Sequence, residues 1–529
     1  HALLGILLVC ALAMMMLLSY WACKYSYYGA VDGRTRGVLV GDKTWAHIAV
    51  FLAASLCAMG IDKVLMKKDK SQQEKICLCT LIVTSVIAFI LGVFYVCKNP
   101  YYPVGDQINT TAFAAYCRDG NFSMLSIGGY VGMYQQQKGL AILYEILFTL
   151  FGDFNYRPAK ILHVVWWILT ILAGYGFLKL NTDRPVFRML YCVMMLGCFP
   201  LLFYLPYIYG DVLSISFGII LFYGVAAYEH SGQKRYIALA SFAAGLAVLA
   251  RKNTWIVLVA VAVYVLLVSL RKKKVRYLMA GTAILLTAAL SVKAVDVIYE
   301  VRSGYPSGVG IPSILWVAMG LQETEGRAGV YNRYQQATFT DYDCQQELAA
   351  QQGKEYIRER LEEFSQDPGM AFNFFKNKVE GQWIEPMYAA LESTESFEEG
   401  AELSPVLESL YYGELGRTIW KLTNYYQSIL YLAGLMALVM LGILWWKKKE
   451  VPISLWLPWI AVFGGFLFSI LWEAKSRYVF PYCVFMILYA PEGLYQTGLL
   501  LCKLPKLRKF KKSGHTQDKG EEASLRETA

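Results

Sequence analysis

The sequence predicts an all-α polytopic membrane protein of about twelve transmembrane helices, and three observations predict it. Of the 529 residues, 56% are hydrophobic and only 17% charged, with a mean hydropathy of +0.38, whereas soluble domains carry about 25% charged residues. The apolar residues fall in runs of spanning or near-spanning length for a ~30 Å hydrocarbon core. Lys and Arg collect in clusters between alternate runs, as the positive-inside rule requires. A soluble enzyme, a disordered chain and a collagen-like fibre are thereby excluded. The net charge of +10 invites a nucleic-acid partner until the loops are sorted by side; then it records orientation in the bilayer, and no nucleic acid is expected.

Residues 1–75 read as an N-terminal transmembrane hairpin, with spans at 2–22 and 46–66. A signal-peptide remnant is the alternative for the first run and leaves the downstream topology unchanged. Residues 76–299 read as the membrane core, with spans at 76–97, 157–179, 186–204, 212–229, 236–250, 253–270 and 277–299 and a first outer loop over 98–152. Inside that loop, KGLAILYEILFTLF (138–151) is short for a span and is expected to lie along the interface. With this segment flat, six basic clusters share the cytoplasmic side: Lys67 to Lys75, Arg184 with Arg188, Lys234 with Arg235, Arg271 to Arg276, Lys447 to Lys449, and Lys506 to Lys512. Counted as a span, it would set the first cluster against the other five.

The outer face then receives the first loop, the turns at Tyr204 to Asp211, Arg251–Lys252 and Trp472 to Tyr478, and a loop over 300–426 that is too long for a connector. Helices are expected there near Gln345 to Phe364 and Ala371 to Lys378, followed by an acidic stretch from Glu392 to Glu402. Spans at 427–446, 452–471 and 479–501 make up a C-terminal unit over 427–502, and 503–529 is a basic cytoplasmic tail. Most of the twelve cysteines lie in apolar runs, without a CxxC pair, and the five histidines never cluster, so a zinc site is not expected.

The candidate chemistry is ionisable and outward. Asp106 follows a span and the stiff turn Pro103–Gly105; it can accept a proton from a hydroxyl, ligate a cation, or cap the helix that begins nearby. Asp211 opens another apolar helix and carries the same two readings, a functional carboxylate or a cap. Arg251 and Lys252 break the positive-inside trend, so either a lipid phosphate compensates them or they snorkel to headgroups. Glu473, Lys475, Arg477 and Tyr478 crowd the entrance to the last span, as a site or as a local ion pair. Gln107 and Lys138 complete the candidates. Two carboxylates and two basic clusters on one face suit a reaction on a lipid-linked phosphate, and Asp106, Asp211, Arg251 and Arg477 are expected to line one cavity. Trp316, Tyr331, Trp383 and Tyr388 in the long loop are suited to stacking on sugar rings or to packing within the loop.

In this order along the chain, these motifs resemble the polytopic glycosyltransferases of GT-C fold, especially the bacterial branch related to protein mannosyltransferases and lipid A aminoarabinose transferases. The resemblance covers about residues 76 to 500. It rests on Asp106 just after a helix, a flat helix ending in Phe151–Gly152, Asp211 after Pro206, the turn Leu249 to Asn253, and the string Glu473, Arg477, Tyr478, Pro481. IPSILWVAMGLQETEGRAGVYN and FFKNKVEGQWIEP in the long loop are similar to segments of Gram-positive members.

The resemblance implies a multi-pass cell-membrane enzyme of cell-envelope biogenesis, bacterial and Gram-positive-like, with its active site on the extracytoplasmic face. Its donor would be a polyprenyl-phosphate sugar and its acceptor a cell-envelope glycan, a teichoic-acid-type polymer, a lipid or a protein. Asp106 would be the base or a ligand for a divalent cation such as Mg2+ or Mn2+, and Asp211 would position acceptor or donor sugar. Arg251, Lys252, Arg477 and Lys475 would hold the donor phosphate. Protein mannosyltransferases carry an Asp-Glu pair in the first loop; Gln107 here weighs against a metal and against a protein acceptor. The rival readings are a lipid-linked sugar flippase or transporter and a polysaccharide polymerase or ligase.

Charge sharpens this topology. Between Glu300 and Lys421 the chain has 20 acidic and 10 basic residues, so the positive excess lies elsewhere, and Arg251, Lys252 and Arg477 are among the few basic residues left on the outer face.

Overall fold

The computed structural model describes residues 2–28, 38–308, 310–447 and 452–503. The basic residues Lys448, Lys449 and Lys506 to Lys512, and the tail beyond residue 503, lie outside the described residues. The chain is a mostly helical polytopic membrane protein. Nine helices among the described residues are long and apolar enough to cross a membrane: Leu4–Lys24, Thr44–Leu65, Lys70–Lys98, Arg157–Asn181, Asp211–Ser231, Lys252–Lys272, Arg276–Ser303, Glu414–Trp446 and Ile453–Leu471.

Three other expected spans are helical but shorter or broken. The run over 186–204 divides into Pro185–Gly197 and Phe199–Phe203, where Pro200 lacks the amide proton a continuous helix needs. Lys234–Ala250 has 17 residues, about 25 Å at 1.5 Å per residue. The last run is Ser476–Met486, a turn over 487–489, and a helix over 490–503, with Pro481 inside its first piece. The segment Lys138–Phe151 is a 14-residue helix of about 21 Å, shorter than the hydrocarbon core.

Burial separates the bundle's centre from its rim. The spanning window of Asp211–Ser231 is 83% buried, whereas Lys70–Lys98 and Arg276–Ser303 are 28% buried. Those rim helices expose Ile82, Val83, Phe89, Ile90, Leu286, Leu290 and Val297, an apolar surface that lipid chains would cover. The central helix packs between Arg157–Asn181 and Lys234–Ala250.

Local chemistry sets several helix starts. Asp69 caps Lys70–Lys98 by accepting from the Gln72 amide at 2.9 Å, and Asp367 caps Pro368–Trp383 through the Met370 amide at 2.9 Å with Pro368 in the first turn. Gly232 and Gly304 close two long helices in the left-handed conformation.

Two features of the connections differ from expectation. Between the first two spans, strand Tyr25–Tyr28 pairs antiparallel with Val38–Gly41, and the Tyr27 amide donates to the Ile384 carbonyl at 3.0 Å. The helix expected to start at 427 begins at Glu414 and runs 33 residues, about 50 Å, so its polar first turns stand clear of a ~30 Å core. In the long loop, helices Gln346–Gln366 and Pro368–Trp383 stand where the sequence placed them.

At one end of the bundle, ion pairs hold the expected cytoplasmic turns. Arg188 pairs with Glu74 at 2.5 Å, Arg184 with Asp62 at 3.1 Å and Lys272 with Glu229 at 3.0 Å. At the other end the long loop is tied to its neighbours by backbone hydrogen bonds: Tyr102 to Ser396 at 2.9 Å, Ile311 to Met133 at 3.0 Å and Ala474 to Gly329 at 2.7 Å.

Candidate functional site

The loop end encloses a cavity of about 1140 Å3. Its walls come from the first loop, the turns before Asp211 and after Ala250, the 472–478 connector and the long loop, so segments hundreds of residues apart meet in one place. Asp106, Gln107, Arg251, Lys252, Glu473, Lys475, Arg477 and Tyr478 all line it.

Asp106 is the first residue of helix Asp106–Arg118, after Gly105 at φ +57, a left-handed turn that favours glycine. Its side chain caps nothing. Oδ1 instead accepts from the Tyr130 hydroxyl at 2.8 Å, and the residue is exposed to the cavity. Burial and the adjacent Asp106 carboxylate hold the Tyr130 phenol well above its usual range, so it remains a donor. Gln107 donates its amide to the Tyr207 hydroxyl of the same wall.

Asp211 does not reach the cavity. Its side chain is 3% exposed and pairs with Arg251 through Oδ1, with Arg477 Nε 3.9 Å from the same oxygen. It therefore orients guanidinium groups rather than touching a sugar. Gly210 makes this pairing possible, because a Cβ there would run into the Ala250 carbonyl oxygen. Arg251 lies over the Tyr209 and Tyr478 rings, each 5.4 Å from centroid, and Arg477 lies over Tyr207 and Tyr209, each at 5.3 Å. Arg477 also donates to the Tyr207 hydroxyl. Two planar cations are thus held by one carboxylate and a set of tyrosines, facing a cavity whose rim adds the exposed Lys252 and the half-buried Lys475.

Lys138 also lies outside the cavity lining. It is buried, pairs with Asp296 and donates to Ser307 Oγ at 2.9 Å, which locks its helix to Arg276–Ser303.

Other polar groups of the cavity escaped the sequence reading. Lys378 is buried, donates to the Gly320 carbonyl, and is pushed down to about 7 by burial, with Glu473 opposing. Beside it Glu473, a candidate the sequence did offer, is pushed up to about 7 by burial, with Lys475 opposing, and accepts from the Tyr478 hydroxyl at 3.3 Å. Glu385 is likewise raised to about 7 by burial while accepting from the backbone amides of Met387 and Ala389. Tyr207, Tyr209 and Gln137, which donates to Tyr209 at 2.6 Å, complete the wall. Of the loop aromatics, Trp383 and Tyr388 are buried packing residues, whereas Trp316 and Tyr331 line the cavity.

A divalent cation does not fit these residues well. Among the described residues no three of His, Cys, Asp and Glu gather as a metal site, and the Asp106 carboxylate is held there by the Tyr130 phenol. The chain matches no protein-family model, no curated protein and no solved structure.

Proposed function

We propose that the protein is an integral-membrane glycosyltransferase of GT-C-like fold that moves a sugar from a polyprenyl-phosphate donor to an extracytoplasmic acceptor of the cell envelope. One observation carries the reading: the Asp106 carboxylate and the Arg251 and Arg477 guanidiniums face one cavity at the end of the bundle away from the basic turns. In this reading the segments 185–203, 234–250 and 476–503 also cross, giving twelve spans, and the cavity opens on the outer side of a bacterial cell membrane.

The acceptor hydroxyl gives its proton to Asp106 as its oxygen bonds to the anomeric carbon. The bond from that carbon to the phosphate oxygen breaks, and its electron pair leaves on the polyprenyl phosphate. Charge grows on the phosphate, where Arg251 and Arg477 stabilise it without reorganising, while Lys252 and Lys475 bind the phosphate equally before and during the step. Asp211 keeps both guanidiniums aimed.

Transfer of radiolabelled sugar from polyprenyl phosphate, in membranes containing the protein, tests the proposal. Label reaching an envelope acceptor supports it; translocation of intact donor without transfer assigns a flippase instead. A flippase would carry its ionisable groups towards the midplane, and here they gather at one end.

Two results follow from the phosphate site. Lys252→Ala raises the donor KM about tenfold, the loss of ~1.4 kcal/mol of charge-assisted binding, with kcat nearly unchanged. A proportional fall in kcat instead would place Lys252 in the chemical step. Glu473 bears a proton below about pH 7 and is anionic above it, while Lys378 loses its positive charge over the same range. Both changes oppose a bound anion. Donor affinity therefore falls as pH rises through 7, about fivefold for ~1 kcal/mol of repulsion, since a phosphodiester keeps one charge throughout. Glu473→Gln flattens most of that dependence in KM measured from pH 6 to 8; an unaltered slope would remove Glu473 from the phosphate's surroundings.

A further inference from the structure

An unbroken series of aromatic rings leads away from Asp106 along the cavity wall. Tyr130, whose hydroxyl holds the carboxylate, has its ring 5.1 Å from that of Tyr134. Tyr134 is 6.3 Å from Trp316, and Trp316 is 5.9 Å from Trp472 with the two indoles parallel to within 4°. At that separation the indoles are offset rather than eclipsed, so they form a stepped shelf. All four rings line the cavity and all are partly exposed. The contrast lies within the same loop: Trp383 is fully buried, with its indole N–H donated to Ser469 Oγ at 3.0 Å, as a packing residue should be.

Polar groups flank the shelf. The Tyr134 hydroxyl lies 3.5 Å from Gln336 Oε1, and the buried Gln335 of the same wall has a side-chain oxygen with no hydrogen-bond partner. Tyr331, 47% exposed, stands beside Tyr134. Partly exposed rings interleaved with amides and phenols are poorly matched to a lipid chain, which needs no hydrogen bonds. They match a sugar, whose C–H face stacks on an aromatic ring while its hydroxyls reach polar groups at the edge. Successive steps of 5.1, 6.3 and 5.9 Å are on the scale of one sugar ring each.

We infer that Tyr130, Tyr134, Trp316 and Trp472 form a track for an extended glycan acceptor, several sugars long, that delivers its terminal hydroxyl to Asp106. The inference rests on the glycosyltransferase reading and names its acceptor class: a glycan chain, in preference to a protein or a single sugar.

The test uses the full chain in lipid nanodiscs and the host's envelope glycan, hydrolysed and sized into fractions from one to six sugars. Binding is read by tryptophan fluorescence and transfer by radiolabel, with donor hydrolysis by water followed in parallel. In the wild-type protein the apparent affinity rises about tenfold from one sugar to four and then levels. Trp316→Ala removes most of that rise, and Trp316→Tyr retains it. Tyr331→Ala, at an exposed position, weakens the longer fractions about threefold and remains informative should Trp316→Ala fail to fold. Affinity independent of length in the wild-type protein, or a length dependence untouched by Trp316→Ala and Tyr331→Ala, overturns the track. Loss of all donor turnover with length-dependent binding intact leaves the track standing and overturns the transferase reading instead.

Discussion

Arg251→Met is expected to abolish transfer and to destabilise the protein by about 3–5 kcal/mol, the cost of leaving a buried charge without its partner. The Asp211 side chain is 3% exposed and that of Arg251 12%. Once Arg251 is gone, the ion pair left to Asp211 among the described residues is with Arg477 Nε at 3.9 Å, too far for a hydrogen bond, and its Oδ2 has no hydrogen-bond partner to begin with. Against a total stability of about 5–15 kcal/mol, that loss is a large share. Loss of folding and loss of chemistry are separable by a second change. Asp211→Asn added to Arg251→Met removes the stranded charge and is expected to restore most of the melting temperature, while transfer stays absent because the donor phosphate has lost its guanidinium. Arg251→Lys is expected to fold and to transfer weakly, since an ammonium keeps the charge but not the planar fork. Thermal unfolding in nanodiscs and radiolabel transfer, measured on the same preparations, check both halves. A single Arg251→Met protein as stable as the wild type would show that the pair does not hold this turn together, and the aim of Arg477 would need another explanation.

That pair also shows what a sequence can and cannot disclose. Asp106, Arg251, Lys252, Glu473, Lys475 and Arg477 stood out because a charge beside an apolar run is costly and demands a partner. The same signal picked out Lys138, whose partner is Asp296 from another helix. Burial of a lysine looks alike in one dimension whether it faces a ligand or a carboxylate. Asp211 was expected to line the cavity, but its carboxylate faces back to Arg251 instead. Tyr207, Gln137, Lys378 and Glu385 carried no local signal. They matter through contacts such as Arg477 to Tyr207, 270 positions apart, which only the folded chain creates. The spans of the rim were legible for the opposite reason, because hydropathy is local. It faded at 185–203 and 476–503, where Pro200 and Pro481 fall inside segments whose composition still reads as apolar.

Asp106→Asn is expected to lower kcat by about 10²–10⁴, the range for losing a positioned general base, with donor KM nearly unchanged. The substitution is close to isosteric, and an amide oxygen can still accept from Tyr130, whose hydroxyl now meets Oδ1 at 2.8 Å. Because Asp106 is exposed and caps no backbone amide, folding should change by less than about 0.5 kcal/mol. The proton acceptor is then the one property removed. Tyr130→Phe provides the complementary loss: the carboxylate survives but is no longer fixed, and a modest fall of about tenfold in kcat is expected, since misorientation costs less than absence. The two defects should not add, because the tyrosine hydroxyl acts through the carboxylate while the ring is kept in phenylalanine; the double variant should turn over no slower than Asp106→Asn alone. Full transfer by Asp106→Asn would remove the base from the mechanism. Glu473 would then be the carboxylate to replace next, because it lines the same cavity and burial raises it to about 7, close to where a base works best at neutral pH.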